Sequence, residues 1–178
     1  NKLTADLCAA PGGKTFQMLA NGAKVVAFEK NKNRAKLIQE NLKRLNFDCK
    51  IKIQDVLNIN NNKKFDLIIL DAPCSSVGTI RRHPEIFFRK TKPNFSKIIS
   101  LQKKLLDKAI KMLNIHGVLI YMVCSFLADE GQHQITNFLK KNKNFNLIKF
   151  SSQSKIVGGS FVDNNGFYFV LPSKLENG

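Results

Sequence analysis

The chain has 178 residues, with 29 Lys+Arg against 13 Asp+Glu for a formal net charge of +16, and 43% of it is apolar. That length suits one domain burying roughly 70% of its unfolded surface, and the apolar share excludes a disordered chain. No apolar run nears the ~20 residues of a membrane span, no secretory signal opens the chain, and the cysteines lack the CxxC spacing of a zinc site.

A soluble, cytoplasmic protein with reduced thiols and no metal is therefore expected. The basic excess has two readings. Lys outnumbers Arg and Asn is abundant, as a compositionally biased genome would give. A basic surface also attracts a polyanion, most commonly nucleic acid.

In chain order, Leu3–Leu7 reads as a strand, followed by a glycine turn and a helix. Residues 24–28 form a second strand, and Lys32–Leu45 a helix with Ala35, Ile38, Leu42 and Leu45 at three- and four-residue intervals. Strands follow at Lys50–Ile53, residues 65–70 and residues 118–123, with helices predicted over residues 96–113 and 130–140. Strand–helix alternation with strands apolar on both faces implies an α/β fold, a mostly parallel sheet covered by helices on both faces. Residues 145–150 and 166–171 read as two more strands, making an antiparallel edge hairpin at the Asn165-Gly166 turn and a seven-stranded sheet. The first strand begins almost at Asn1, so residues 1–178 are expected to be one domain cut from a longer protein.

The turn after the first strand is Cys8-Ala9-Ala10-Pro11-Gly12-Gly13-Lys14-Thr15. Its Gly-Lys-Thr ending mimics a phosphate-binding P-loop, but that motif needs a glycine where Cys8 stands, and a proline has no place in its cradle. A tight turn where a ligand approaches bare backbone fits better. Open α/β sheets bind ligands at the carboxyl ends of their strands, and three acids fall there: Glu29, Asp55 and Asp71. An acid after one strand is commonly a helix cap. A glycine turn with acids after three strands points to a cofactor containing a nucleoside, with Glu29 placed to take ribose hydroxyls.

Two cysteines stand where strands give way to loops, each followed by a serine: Cys74-Ser75 and Cys124-Ser125. A thiolate there can act as a nucleophile, whereas Cys49 reads as a small hydrophobe and Cys8 as a small turn residue. Arg81-Arg82-His83-Pro84 follows the first cysteine loop. It is either a solvated turn leading to a Phe87-Phe88 anchor or a contact for substrate phosphates.

DLCAAPGGKT, ILDAPCSSVGTIRRHPEI and VCS together resemble the Sun/Fmu-type RNA (cytosine-5) methyltransferases over nearly the whole chain. IRRHPEI and the closing GFYFV are most similar to the bacterial branch that modifies small-subunit ribosomal RNA. The resemblance implies a Rossmann-like fold using S-adenosylmethionine. It implies that Cys8, Ala9, Ala10, Pro11, Gly12, Gly13 and Lys14 wrap the methionine and ribose. Glu29 would take the ribose hydroxyls, Asp55 would lie by the adenine, and Asp71 would lie near cofactor and target base. Cys124 matches the nucleophile and Cys74 the cysteine that releases product, while Arg81, Arg82 and His83 would contact RNA. Two positions depart from the family pattern: Glu29 stands where Asp is commoner, and Val123 where a Thr usually precedes the nucleophile.

The implied chemistry is thiolate addition at C6 of cytosine, which makes C5 nucleophilic toward a methyl donor. The target base should be unstacked or flipped to reach the thiols. Two alternatives stand beside this reading. One is a DNA cytosine-5 methyltransferase with Cys74 as nucleophile, and the other a catalytically inert RNA-binding assembly factor.

Overall fold

A computed structural model describes residues 2–60, 63–150 and 160–170. They fall into two compact units, one of Asn1–Pro73 with Leu101–Met122 and one of Cys74–Ser100 with Val123–Gly178.

The first unit is built on five strands: β1 (Leu3–Leu7), β2 (Lys24–Glu29), β3 (Lys50–Ile53), β4 (Phe65–Asp71) and β5 (Leu113–Met122). Their order is β3-β2-β1-β4-β5, every neighbour parallel. The order reverses between β1 and β4, and such a switch point opens a crevice at the strands' carboxyl ends. Helices α1 (Gly13–Ala20) and α2 (Lys32–Leu45) follow β1 and β2. In α2 the predicted stripe holds: Ala35, Ile38 and Leu42 are buried, while Leu45 lies at the exposed margin. Asn31 Oδ1 caps its start by accepting from Asn33 N and Arg34 N, and Asn46 ends it in the left-handed region. Ile38 and Leu42 pack with Ala9, Ala10 and Ala27, with half-buried Cys49 against that cluster, as expected of a small hydrophobe. At the sheet's centre the Phe28 and Phe65 rings meet edge to face, with centroids 6.1 Å apart.

β5 begins earlier than residue 118. Its first pair is Phe65↔Leu113 and its next Leu67↔Val118, so residues 114–117 bulge out of the ladder. The regular pairing therefore starts where the apolar run does. Helix α3 (Phe95–Lys111) buries Gln102, Leu105, Leu106 and Ala109, and Gln102 Nε2 donates to the Pro73 carbonyl at 3.0 Å.

The second unit holds two 3-10 turns, Val77–Thr79 and Pro84–Phe88, helix α4 (Gln132–Lys141), and strands β6 (Ser160–Val162) and β7 (Tyr168–Val170). Here the expectation of one seven-stranded sheet is corrected. β6 and β7 form a separate antiparallel pair, and residues 145–150 are not a strand. The turn signal was right but its partner was wrong. Asp163 Oδ1 accepts from Asn165 N and Phe167 N, so the Asn165-Gly166 turn folds back onto the segment immediately before it. Residues 145–150 form no ladder: Phe150 N donates once to the Gly166 carbonyl at 3.4 Å, and the rings of Phe145 and Phe150 pack against Phe138 and Tyr168. The predicted strand's last residue, 171, lies outside the described residues.

Candidate active site

In the first unit, the β1–α1 turn and the end of β4 enclose a cleft of about 290 Å³. Its walls are Cys8 to Pro11, Gly13 and Lys14, with Asp6 and Asp71. Gly12 makes the turn possible. Its φ is +110°, and a Cβ there would lie 2.3 Å from the Phe16 ring. At Gly13 a Cβ would meet nothing within 4 Å, so bare backbone faces open space. Lys14 Nζ and Asp71 Oδ2 form an ion pair at 2.6 Å, both groups partly exposed.

Asp6 is buried at 1% exposure. Its Oδ2 accepts from Thr15 Oγ1 at 2.5 Å, while Oδ1 has no hydrogen-bond partner among the described residues. Burial, opposed by the Thr15 bond and the Lys14 charge, pushes its pKa up to about 6. An orphaned buried oxygen is costly unless a ligand donates to it. Ammonium-seeking Asp6, the Lys14 cation and exposed turn backbone together form a donor and acceptor set that suits a zwitterionic amino-acid group. Cys8 is held at φ +64°. Burial first, then the charges of Glu29, Asp6 and Asp71, push its thiol up to about 12, which removes it as a nucleophile near neutrality.

Glu29 is buried at the end of β2. Its carboxylate accepts from Asn31 N at 2.9 Å and from Ala10 N at 3.4 Å, and Arg34 Nη1 lies 3.7 Å away. The acid thus ties the glycine turn to the start of α2. Asp55 is half-buried and accepts from Leu57 N at 2.9 Å, capping the 3-10 turn Val56–Asn58. Glu29 and Asp55 are not among the cleft's wall residues, whereas Asp6, absent from the sequence-derived set, is.

In the second unit the two loop cysteines meet. Cys74 Sγ lies 3.1 Å from Cys124 Sγ, and Ser76 Oγ lies 3.3 Å from Cys124 Sγ. Cys124 is exposed and Cys74 half-buried. The hydrogen bond to Cys124, then burial, then the Cys124 charge raise the Cys74 pKa far above the ordinary thiol range. Gly78 allows the loops to approach: its N–H donates to the Cys124 carbonyl at 3.1 Å, and a Cβ would sit 3.0 Å from that oxygen.

Glu130, unmarked in the sequence because it reads as one more charge at a helix start, is fully buried. Its Oε1 accepts from Ser75 N at 2.8 Å and its Oε2 from Ser75 Oγ at 2.7 Å. Arg81, Arg82 and His83 are all exposed, with His83 Nδ1 2.9 Å from Glu85 Oε1. Phe87 and Phe88 are 72% and 83% exposed, so they anchor nothing among the described residues. Among those residues no group of three or more His, Cys, Asp or Glu could hold a metal ion, and no helix is long and apolar enough to cross a membrane.

The model of the 16S rRNA methyltransferase RsmB/F family matches residues 1–174. Ribosomal RNA small subunit methyltransferase B of Photorhabdus laumondii is 42% identical over 147 residues, covering 80% of this chain and 34% of that protein. The protein of the same name from Serratia proteamaculans is 36% identical over 178 residues, covering 96% and 42%. The chain thus spans well under half the length of these relatives. Among solved structures, PH0851 aligns with a TM-score of 0.79 at 32% identity, over 85% of this chain and 36% of that one. NSun6 from Pyrococcus horikoshii, solved with SFG, aligns at 0.74 and 31% identity, over 89% and 40%.

Proposed function

Because the chain belongs to the 16S rRNA methyltransferase RsmB/F family, we propose that it methylates C5 of a cytosine in small-subunit ribosomal RNA, with S-adenosylmethionine as donor and Cys124 as nucleophile. The observation that carries the reading is the thiol pair at 3.1 Å, with Cys124 its more exposed member. A hydrogen bond from the Cys74 S–H stabilises negative charge on the Cys124 sulfur, which is also the more exposed of the two.

When bound, S-adenosylmethionine supplies a methyl group activated by a sulfonium. Asp6, Lys14 and the Cys8–Gly13 backbone would hold its amino-acid end, with Glu29 and Asp55 assigned to the ribose and adenine. Cys124 adds to C6 of the cytosine, its electron pair forming the S–C6 bond and pushing density through the ring to C5. Asp71, three residues ahead of Cys74 in the chain, is the acid assigned to the charge that develops on the ring.

After C5 is methylated, its proton must leave and the S–C6 bond must break, with that electron pair restoring the C5–C6 double bond. Cys74 is suited to the proton removal by the same pairing that first kept it neutral. Two of the three leading causes of its raised pKa are the hydrogen bond to Cys124 and the charge on Cys124. Both disappear once Cys124 is bonded to carbon. Its pKa then falls, its proton passes to solvent, and the resulting thiolate can act as base. A nucleophilic Cys74, as a DNA-type assignment requires, would have to ionise against all three causes.

The test is incubation of small-subunit ribosomal RNA with labelled S-adenosylmethionine, mapping of the methylated cytosine, and a denaturing gel of two variants. Cys124→Ala should neither methylate nor form an adduct. Cys74→Ala should transfer the methyl group and stall as a protein–RNA adduct. An adduct lost only in Cys74→Ala would overturn the nucleophile assignment. Cofactor binding with no methylated product in the parent would favour the inert RNA-binding reading.

A further inference from the structure

We infer that Glu130 is the positioning residue that sets the spacing of the two thiols. Each cysteine is followed by a serine, and the structure supplies a reason for the repeat. Ser75 gives both its backbone N–H and its hydroxyl to the two oxygens of Glu130, at 2.8 and 2.7 Å. Ser125 Oγ lies 3.4 Å from Ser75 Oγ and accepts from Leu127 N. Glu130 N donates in turn to the Leu127 carbonyl at 3.1 Å. A continuous route therefore runs from Cys74 through Ser75 and Glu130 to Leu127, Ser125 and Cys124, every link a peptide bond or a short polar contact.

Glu130 has no exposed surface, and Ser75 is buried with it. A carboxylate there is tolerated only because its oxygens are engaged, and its two bonds to one residue fix that residue's orientation as well as its position. Cys74 is covalently attached to the clamped residue. Arg89 Nη1 adds a third restraint by donating to the Ser75 carbonyl at 3.1 Å. Glu130 acts on Cys74 through Ser75, so its action is indirect.

The inference rests on Cys74 and Cys124 being the reacting pair, but its test reads thiol spacing, not methylation. Diamide takes two electrons and two protons from a thiol pair and becomes the hydrazine as the S–S bond forms. The product is two hydrogens lighter, and peptide mapping identifies the Cys74–Cys124 link. Disulfide closure should slow about tenfold or more in Glu130→Ala, since ångström-scale misplacement of reacting groups costs rates of that order. Glu130→Gln, which keeps an acceptor for Ser75 N–H, should recover most of the parent rate. Gln134→Ala is the control, because Gln134 is buried in the same unit and bonds the Ile99 carbonyl. It should lower the melting temperature without slowing closure. If Glu130→Ala does not fold, Glu130→Asp replaces it, its shorter arm failing to reach Ser75, with the same slowing expected. Closure at the parent rate, or slowed no more than in Gln134→Ala, would overturn the inference. If the pattern holds in a protein that transfers no methyl group, the catalytic reading fails and the positioning role stands.

Discussion

Asp6 and Glu130 are both buried carboxylates, and they differ in what they lack. Glu130 has both oxygens bonded to Ser75. Asp6 has one oxygen bonded to Thr15 and one with no partner among the described residues. Glu130, with both oxygens held by one buried residue, is scaffold. A half-satisfied buried acid costs stability in the free protein and becomes useful when a ligand brings the missing donor. On the proposed reading, the cleft around Asp6 uses its unpaired oxygen to bind and the loops around Glu130 use a paired one to hold two thiols.

That contrast predicts opposite signs. Glu130→Ala strands two donors of a buried serine and should destabilise the protein by about 2–5 kcal/mol. Asp6→Asn should stabilise the cofactor-free protein at pH 8. The Asp6 pKa is raised from 3.8 to about 6 in the fold. Its favourable contribution is thus fully present below 3.8 and is lost as pH rises through 6, leaving a cost of about 3 kcal/mol above that range. Asn keeps an acceptor for Thr15 and carries no charge to desolvate. The same variant should bind S-adenosylmethionine more weakly, and the parent's affinity should rise as pH climbs through 6. Urea unfolding at pH 5 and pH 8, with calorimetric titration at both, checks the pair. Asp6→Asn as damaging as Glu130→Ala at pH 8 would erase the distinction.

The parallel part of the fold was legible because each strand and helix carries its own period. The apolar runs of β1 to β4 and the Ala35, Ile38, Leu42 stripe are local signals, and α2 matches its predicted ends. The hairpin was misread because a turn signal names the bend and not its partner. Gly166 marks the reversal, yet whether residues 145–150 or 160–162 return against β7 depends on loop length and side-chain packing. The candidate site was legible where chemistry and position coincide, as with Cys74, Cys124 and Asp71. Asp6 is hidden inside a strand run, and Glu130 beside Asp129 at a helix start, where an acid looks solvated. Only their burial gives them away.

Within the first unit the contrast sharpens further between Glu29 and Asp55. Glu29 is buried and ties Ala10 and Asn31 together, whereas Asp55 is half-buried and caps a short turn. Glu29→Ala should weaken S-adenosylmethionine binding by about 1–3 kcal/mol, losing a ligand contact and the hold on the glycine turn together. Asp55→Ala should fall at the low end of that range. Calorimetry on both settles the order, and unchanged affinity in both would remove the nucleoside from this end of the sheet.

The smallest effect is expected where nothing is buried. Arg81 and Arg82 are exposed on the turn that leads into Pro84–Phe88, so neither carries a desolvation cost that a phosphate must first offset. Their contribution to RNA binding is then counterion release, about 0.7 in the logarithmic salt slope for each phosphate neutralised on a single strand. Replacing both by Ala should flatten the slope by roughly 1.4 while leaving unfolding by urea nearly unchanged, since exposed substitutions seldom move stability beyond about 0.5 kcal/mol. Filter binding of ribosomal RNA across a salt series measures the slope directly. An unchanged slope would assign both arginines to solvent, and the phosphate contacts would have to come from elsewhere among the 29 basic residues of the chain. A flattened slope with unchanged stability would separate this segment from both buried acids: it would bind RNA by charge alone, with no part in holding the fold.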